Sequence, residues 1–182
     1  GISFKNNYSP RNSCSTGNNE FSGMTGLYTI QNNCTANIYK NNTYFTSIFN
    51  LFKKAGYKTS SMHNYTEQYY ARSIIHKNLG SDIYYGAQDL GINYYNVYKD
   101  WSSDEDFMNV AMDITLNNID NSPYMLWLTT VSSHQPYGVS SEEGDKYLSI
   151  TENSGYSMEL RRYMSKLKTL DNSLGILLEK LK

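Results

Sequence analysis

Proline is scarce in this sequence, with 3 in 182 residues, and cysteine is scarcer, with 2. Cys14 and Cys34 can form at most one bridge, which excludes a disulfide-built scaffold and a four-cysteine zinc cluster. Whether the two pair, and in which redox compartment the chain sits, stays open at this level. A charge excess of either sign is also missing: 16 Lys and Arg stand against 17 Asp and Glu, a net charge of -1. Without a basic footprint or an acidic tail, no nucleic-acid partner is expected. Long apolar runs are absent too. The run from Tyr124 to Val131 falls far short of the roughly 20 residues that span a bilayer, and no basic-then-apolar signal opens the sequence.

What is present fits one folded domain. The length suffices for one hydrophobic core but not for two full-sized domains. Aromatic residues make up 14% of the chain and include 18 Tyr, a ring content that argues for folding rather than disorder.

Apolar residues Phe45, Ile48, Phe49 and Phe52 repeat at helical spacing, so a helix is expected from Thr43 to Ala55, capped by Asn42 or Thr43 and stopped by Gly56. Residues 57–62 read as a strand ending at His63. A second helix is expected from Thr66 through Ile74 and Ile75 to Leu79. A third starts at the acidic run Asp104-Glu105-Asp106 and carries Phe107, Val110, Ala111 and Ile114 on one face. The run at 124–131 is apolar on both faces and reads as the central strand, covered by helices on both sides. The polar stretch 138–155 reads as a mobile lid or a disordered connection. A last amphipathic helix should run from Met158 to Lys182. Alternating helices and strands argue for an α/β fold with a mainly parallel sheet between helices. Two strands against four helices are too few to fill such a sheet. The chain is therefore expected to be a single unit that forms the middle of a larger domain.

Three places concentrate chemistry. The run Ser13-Cys14-Ser15-Thr16-Gly17-Asn18-Asn19-Glu20 offers hydroxyls at a turn into a helix, where backbone amides favour an anion, though composition alone favours a solvated loop. His63 at a strand end and Arg72 on the following helix could converge on a phosphate, which a guanidinium fork suits, or could be an ordinary loop residue and a surface cation. His134 follows the 124–131 strand directly, a common place for a site residue in open α/β sheets.

Taken together, these segments resemble the lipoteichoic acid synthase-like phosphoglycerol transferases, a branch of the alkaline phosphatase and sulfatase superfamily. Asn12-Ser-Cys-Ser-Thr16-Gly-Asn-Asn-Glu20-Phe21 is similar to that family's nucleophile loop. Gly56-Tyr57-Lys58 through Met62-His63, Tyr69-Tyr70-Ala71-Arg72, and Leu128 through His134-Gln-Pro-Tyr137 follow in the family's order. The segment from Tyr163 through Leu170-Asp171 to Leu181 resembles the helix that comes next. The resemblance implies a partial alkaline phosphatase/sulfatase-like fold with Thr16 as catalytic nucleophile and metal ligand. It implies substrate contacts from His63, Tyr70, Arg72 and His134. It also implies a Mn²⁺ or Mg²⁺ ion whose remaining ligands lie outside this chain. The family's tryptophan is Tyr70 here, its substrate-side aspartate is Tyr65, and the lysine before its nucleophile is Ser15. The Cys-X-Pro-Ser-Arg pattern of formylglycine sulfatases is absent.

The activity implied is transfer of glycerol phosphate from a phosphatidylglycerol-like head group through a phospho-threonine to a glycerol-phosphate acceptor. The expected location is the extracytoplasmic face of a bacterial membrane, anchored through segments not in this sequence. A phosphodiester or phosphonate hydrolase of the same superfamily and a noncatalytic phosphate-binding module are the alternatives. The isolated chain is expected to be inactive.

Overall fold

The computed structural model describes residues 5–6, 13–30, 32–93 and 101–182. The chain divides into two compact units, one made of Gly1–Ser60, Gln68–Tyr84 and Ser122–Met125, the other of Ser61–Glu67, Tyr85–Asn121 and Leu126–Lys182.

In the first unit, α1 (Ser15–Thr25) buries Phe21 and Met24 together with the polar Asn18 and Glu20, and ends at Gly26 with φ of 72°. A residue without Cβ suits that left-handed stop. The short α2 (Thr35–Ile38) is tied to α1 by the buried Asn18 amide. Asn18 Nδ2 donates to the carbonyls of Ser13 (2.6 Å) and Asn33 (2.8 Å), while its Oδ1 accepts from the Thr35 amide at 2.9 Å. A Cys14–Cys34 disulfide closes the same junction and answers the open question of their pairing. The next helix, α3 (Ile48–Lys54), starts later than the expected Thr43, because Ser47 is its cap and accepts from the Asn50 amide. Phe49 is buried, whereas Phe45 lies before the helix and is exposed.

The expected 66–79 helix is broken. Tyr70 and Ala71 take left-handed conformations, φ 57° and 51°, so a 3-10 turn at Tyr69–Ala71 precedes α4 (Arg72–Asn78). Two consecutive left-handed L-residues cannot continue a right-handed helix.

The strands β1 (Lys58–His63), β2 (Ile83–Tyr85) and β3 (Tyr124–Thr129) form a parallel sheet in the order β2-β1-β3. Among the described residues the middle strand is β1, and the 124–131 run expected there is an outer strand, half-buried along its whole length. Apolarity on both faces reports cover above and below a strand but not which strands lie beside it.

In the second unit, Met62, Leu90, Phe107 and Ala111 form the core, with Leu126 and Leu128 packed against it. The helix α5 (Asp104–Asn118) supplies Phe107 and Ala111 at the expected spacing. The stretch expected as a lid or disordered is ordered instead, as α6 (Glu142–Asp145) and a 3-10 turn at Leu148–Thr151. It is bonded to α7 (Met158–Lys180): Thr169 donates to Glu143 (2.7 Å), Ser165 to the Glu143 carbonyl (3.0 Å), and Arg162 pairs with Asp145 (2.7 Å). The same contacts turn α7 in an unexpected phase. It buries Ser165, Lys166, Thr169 and Ser173, and exposes Leu160, Leu167, Leu174, Leu178 and Leu181.

Candidate active site

Thr16 is the second residue of α1 and is exposed, while the next two residues, Gly17 and Asn18, are buried. Cys14 precedes the helix in a left-handed conformation, and its own side chain makes no capping hydrogen bond. Thr16 thus belongs to the first turn of a helix, where the amide dipoles favour negative charge. Tyr70 closes one side. A Cβ built on Gly17 would come within 3.0 Å of the Tyr70 ring, so the glycine after Thr16 is what lets that ring lie against α1. Burial and the neighbouring Tyr69 push the Tyr70 phenol up to about 12, which keeps it a hydrogen-bond donor at neutral pH.

Arg72 lies behind Tyr70, its guanidinium carbon 5.1 Å from the ring centre. Its two-donor fork is engaged within the protein: Nε and Nη2 donate to the two Glu20 carboxylate oxygens at 2.9 and 2.8 Å. The physical reason is burial, since Arg72 is 2% exposed and a guanidinium there needs a counter-charge. Burial alone would raise the Glu20 pKa, but hydrogen bonds from His76 and Arg72 hold it down at about 2. His76 is lowered by its own burial, with Glu20 opposing the shift, and its Nδ1 is buried without a hydrogen bond.

The second unit carries His63 and His134. His63, at the end of β1, is buried and its Nδ1 lies 2.7 Å from the Thr129 carbonyl. His134 is exposed in the loop after β3, its Nδ1 2.7 Å from the Gln135 carbonyl. Because a carbonyl only accepts, both rings carry their proton on Nδ1. A row of rings joins them: His63 and Tyr65 (6.1 Å), Tyr65 and Trp101 (5.3 Å), Trp101 and His134 (4.5 Å). Beneath the row lies buried Asp104. Its Oδ1 accepts from Asn64 Nδ2 (2.9 Å) and the Val131 amide (2.8 Å), and its Oδ2 from the Ser132 amide (3.0 Å). These bonds join the residue after His63 to the loop that carries His134. Burial raises the Asp104 pKa, and the hydrogen bonds oppose it.

Sequence reasoning missed Trp101, Asp104 as a tie between loops, and the Glu20–Arg72 pair. The acidic run at 104–106 signalled a helix start but not this inward carboxylate. Trp101 had as its only signal that it is one of 2 tryptophans. Thr16 is the only metal ligand the resemblance places in this chain. Among the described residues, no group of three or more His, Cys, Asp or Glu side chains gathers to hold an ion, so they do not by themselves fit one.

The family model for sulfatases matches residues 1–182. The chain belongs to the sulfatase family. Within known proteins it is similar to a lipoteichoic acid synthase of Staphylococcus aureus (strain USA300), 23% identical over 159 residues, 87% of this chain and 24% of the relative. It therefore spans about a quarter of that relative's length. Among solved structures, lipoteichoic acid synthase LtaP from Listeria monocytogenes superposes with a TM-score of 0.78 at 23% identity, covering 96% of this chain and 41% of that one. Phosphoglycerol transferase GacH from Streptococcus pyogenes, solved with sn-glycerol-1-phosphate, gives 0.62 at 18% identity, covering 97% and 46%. The resemblance drawn from the four motifs, and the partial sulfatase-like α/β fold it implied, are borne out.

Proposed function

We propose that this sulfatase-family chain is the nucleophile-bearing part of a phosphoglycerol transferase of the lipoteichoic acid synthase type. The observation that carries the reading is Thr16: an exposed residue in the first turn of α1, at the position that the motif resemblance gives to the nucleophile. In the first step Thr16 Oγ bonds to the phosphorus of a phosphatidylglycerol-like head group. The phosphorus–oxygen bond to the diacylglycerol breaks, and the threonine proton ends on the departing alkoxide. In the second step the hydroxyl of a glycerol-phosphate acceptor attacks phosphorus, the bond to Oγ breaks, and Thr16 regains a proton. The α1 amides favour the phosphate charge, and Tyr70 donates from one side. Arg72 serves the substrate side by fixing Tyr70, and His63 and His134 contact the glycerol phosphate.

The Mn²⁺ or Mg²⁺ that the resemblance implies would neutralise charge at the phosphoryl oxygens, with its ligands other than Thr16 outside the described residues. The reaction is assigned to the extracytoplasmic face of a bacterial membrane; among the described residues no helix is long and apolar enough to cross one. Tyr65 and Tyr70 in place of the family's aspartate and tryptophan support a second reading, hydrolysis of other phosphodiesters on the same scaffold. Assaying the intact protein with phosphatidylglycerol and with a soluble nitrophenyl phosphodiester separates the two. Glycerol-phosphate polymer from the lipid supports transfer, and release of nitrophenol with no polymer supports hydrolysis.

A further inference from the structure

The loop after β3 has no ladder of its own, yet its carbonyls are taken one by one by side chains. Lys166 Nζ, from the inverted face of α7, donates to the His134 carbonyl at 2.9 Å and to the Pro136 carbonyl at 3.2 Å. Lys166 is 0% exposed, so this ammonium is committed to the protein interior rather than to solvent. Trp101 Nε1 donates to the Gln135 carbonyl at 2.9 Å, and the indole ring lies tilted against His134, ring centres 4.5 Å apart. The same Gln135 oxygen is the acceptor for His134 Nδ1 at 2.7 Å. One carbonyl with two lone pairs thus receives two donors, and its direction is fixed by the indole.

We propose that Trp101 and Lys166 are positioning residues for His134: they aim the Gln135 carbonyl so that it holds the imidazole as the Nδ1–H tautomer and leaves Nε2 as the nitrogen presented to a ligand. A neutral imidazole in water prefers the opposite tautomer, so the arrangement reverses the ring's ordinary polarity. With its lone pair on Nε2, neutral His134 accepts a hydrogen bond from a ligand hydroxyl, whereas an Nε2–H ring would donate to an anionic oxygen. Specificity for a polyol-bearing phosphate follows from that assignment. This consequence for the substrate rests on the transferase reading; the tautomer itself does not.

The test uses ¹⁵N-histidine-labelled protein, with the ring nitrogens of its 3 histidines resolved by NMR at a pH where the rings are neutral and His134 assigned through His134→Gln. The expected spectrum gives His134 a pyrrole-type Nδ1 and a pyridine-type Nε2. Trp101→Phe keeps a ring beside His134 but removes the donor, and should move His134 toward the Nε2–H form while His63, bonded to Thr129, stays unchanged. Lys166→Met should do the same; if it does not fold, Trp101→Phe and the wild-type spectrum still decide. In the intact protein, Trp101→Phe should lower turnover on the order of tenfold, the scale of a mispositioned group. A wild-type His134 with the proton on Nε2, or an unchanged tautomer in Trp101→Phe, overturns the proposal. The expected tautomers in a protein without transferase activity would leave the positioning role standing and sink the transferase reading instead.

Discussion

Two buried carboxylates, Glu20 in the first unit and Asp104 in the second, are met by opposite means. Glu20 is met by cationic and ionisable groups, Arg72 at 2.8 Å and His76 at 3.8 Å, and its pKa falls to about 2. Asp104 is met by neutral groups, the Val131 and Ser132 amides and the Asn64 and Ser132 side chains, and burial raises its pKa. Full counter-charge outweighs desolvation and fixes the ionised form. Dipoles compensate only part of it and leave the proton easier to keep. Each carboxylate therefore has its own role within its unit. Glu20 anchors Arg72 and through it Tyr70 beside Thr16, while Asp104 ties together the loops that carry His63 and His134.

The largest effect should come from Glu20→Gln, which strands a buried guanidinium: a loss of about 3 to 5 kcal/mol at neutral pH in denaturant unfolding. Less stability is lost if the carboxylate is titrated rather than replaced. The folded Glu20 sits at about 2 against an ordinary 4.5, so its contribution is full above 4.5 and disappears as pH falls toward 2. That difference amounts to about 3 kcal/mol. Buried His76, lowered in the fold, adds a loss of the same sign below its ordinary 6.5, with Glu20, Arg72 and Tyr84 as the groups that face it. Asp104 has the reverse sign: raised in the fold, it favours the protonated state and gives up stability as pH rises through its folded pKa. The destabilisation of Glu20→Gln should therefore shrink in acid, and that of Asp104→Asn should not follow the same course. Asp104→Asn should cost about 1 to 3 kcal/mol at neutral pH, because an amide nitrogen would face the Ser132 amide. The smallest expected change is Gly17→Ala, about 1 kcal/mol as the Tyr70 ring yields a few tenths of an ångström. Its turnover in the intact protein should fall more than its stability.

Elements built on apolar repeats were legible: β1, α5, β3 and α7 fall close to where periodicity placed them. Phase was not. In α7 Leu160, Leu167, Leu174 and Leu178 of the repeat are exposed while Lys166 and Thr169 are buried, since hydrogen bonds to Glu143 and to the His134 and Pro136 carbonyls select the polar stripe. A turn into a helix was read near Ser13–Glu20, but the bounds and inner face of α1 were not, because it buries Asn18 and Glu20, which no apolar period reports. Nor could the kink at Tyr70 be read, as the sequence offers no glycine there to mark left-handed backbone. Of the candidate site, the motif order gave the residue list. The partners that hold those residues, 52 positions apart for Glu20 and Arg72 and 34 for Trp101 and Gln135, leave no local pattern.

The central claim is that Thr16 carries the transferred group. The direct measurement is turnover of phosphatidylglycerol by the intact protein and its Thr16→Ala variant, with mass spectrometry of the wild-type α1 peptide during turnover. The account predicts a loss on the order of 10³-fold or more in Thr16→Ala with the fold kept, and a glycerol phosphate adduct on Thr16 in the wild type. Undiminished turnover in Thr16→Ala, or an adduct on Ser13 or Ser15, would contradict it.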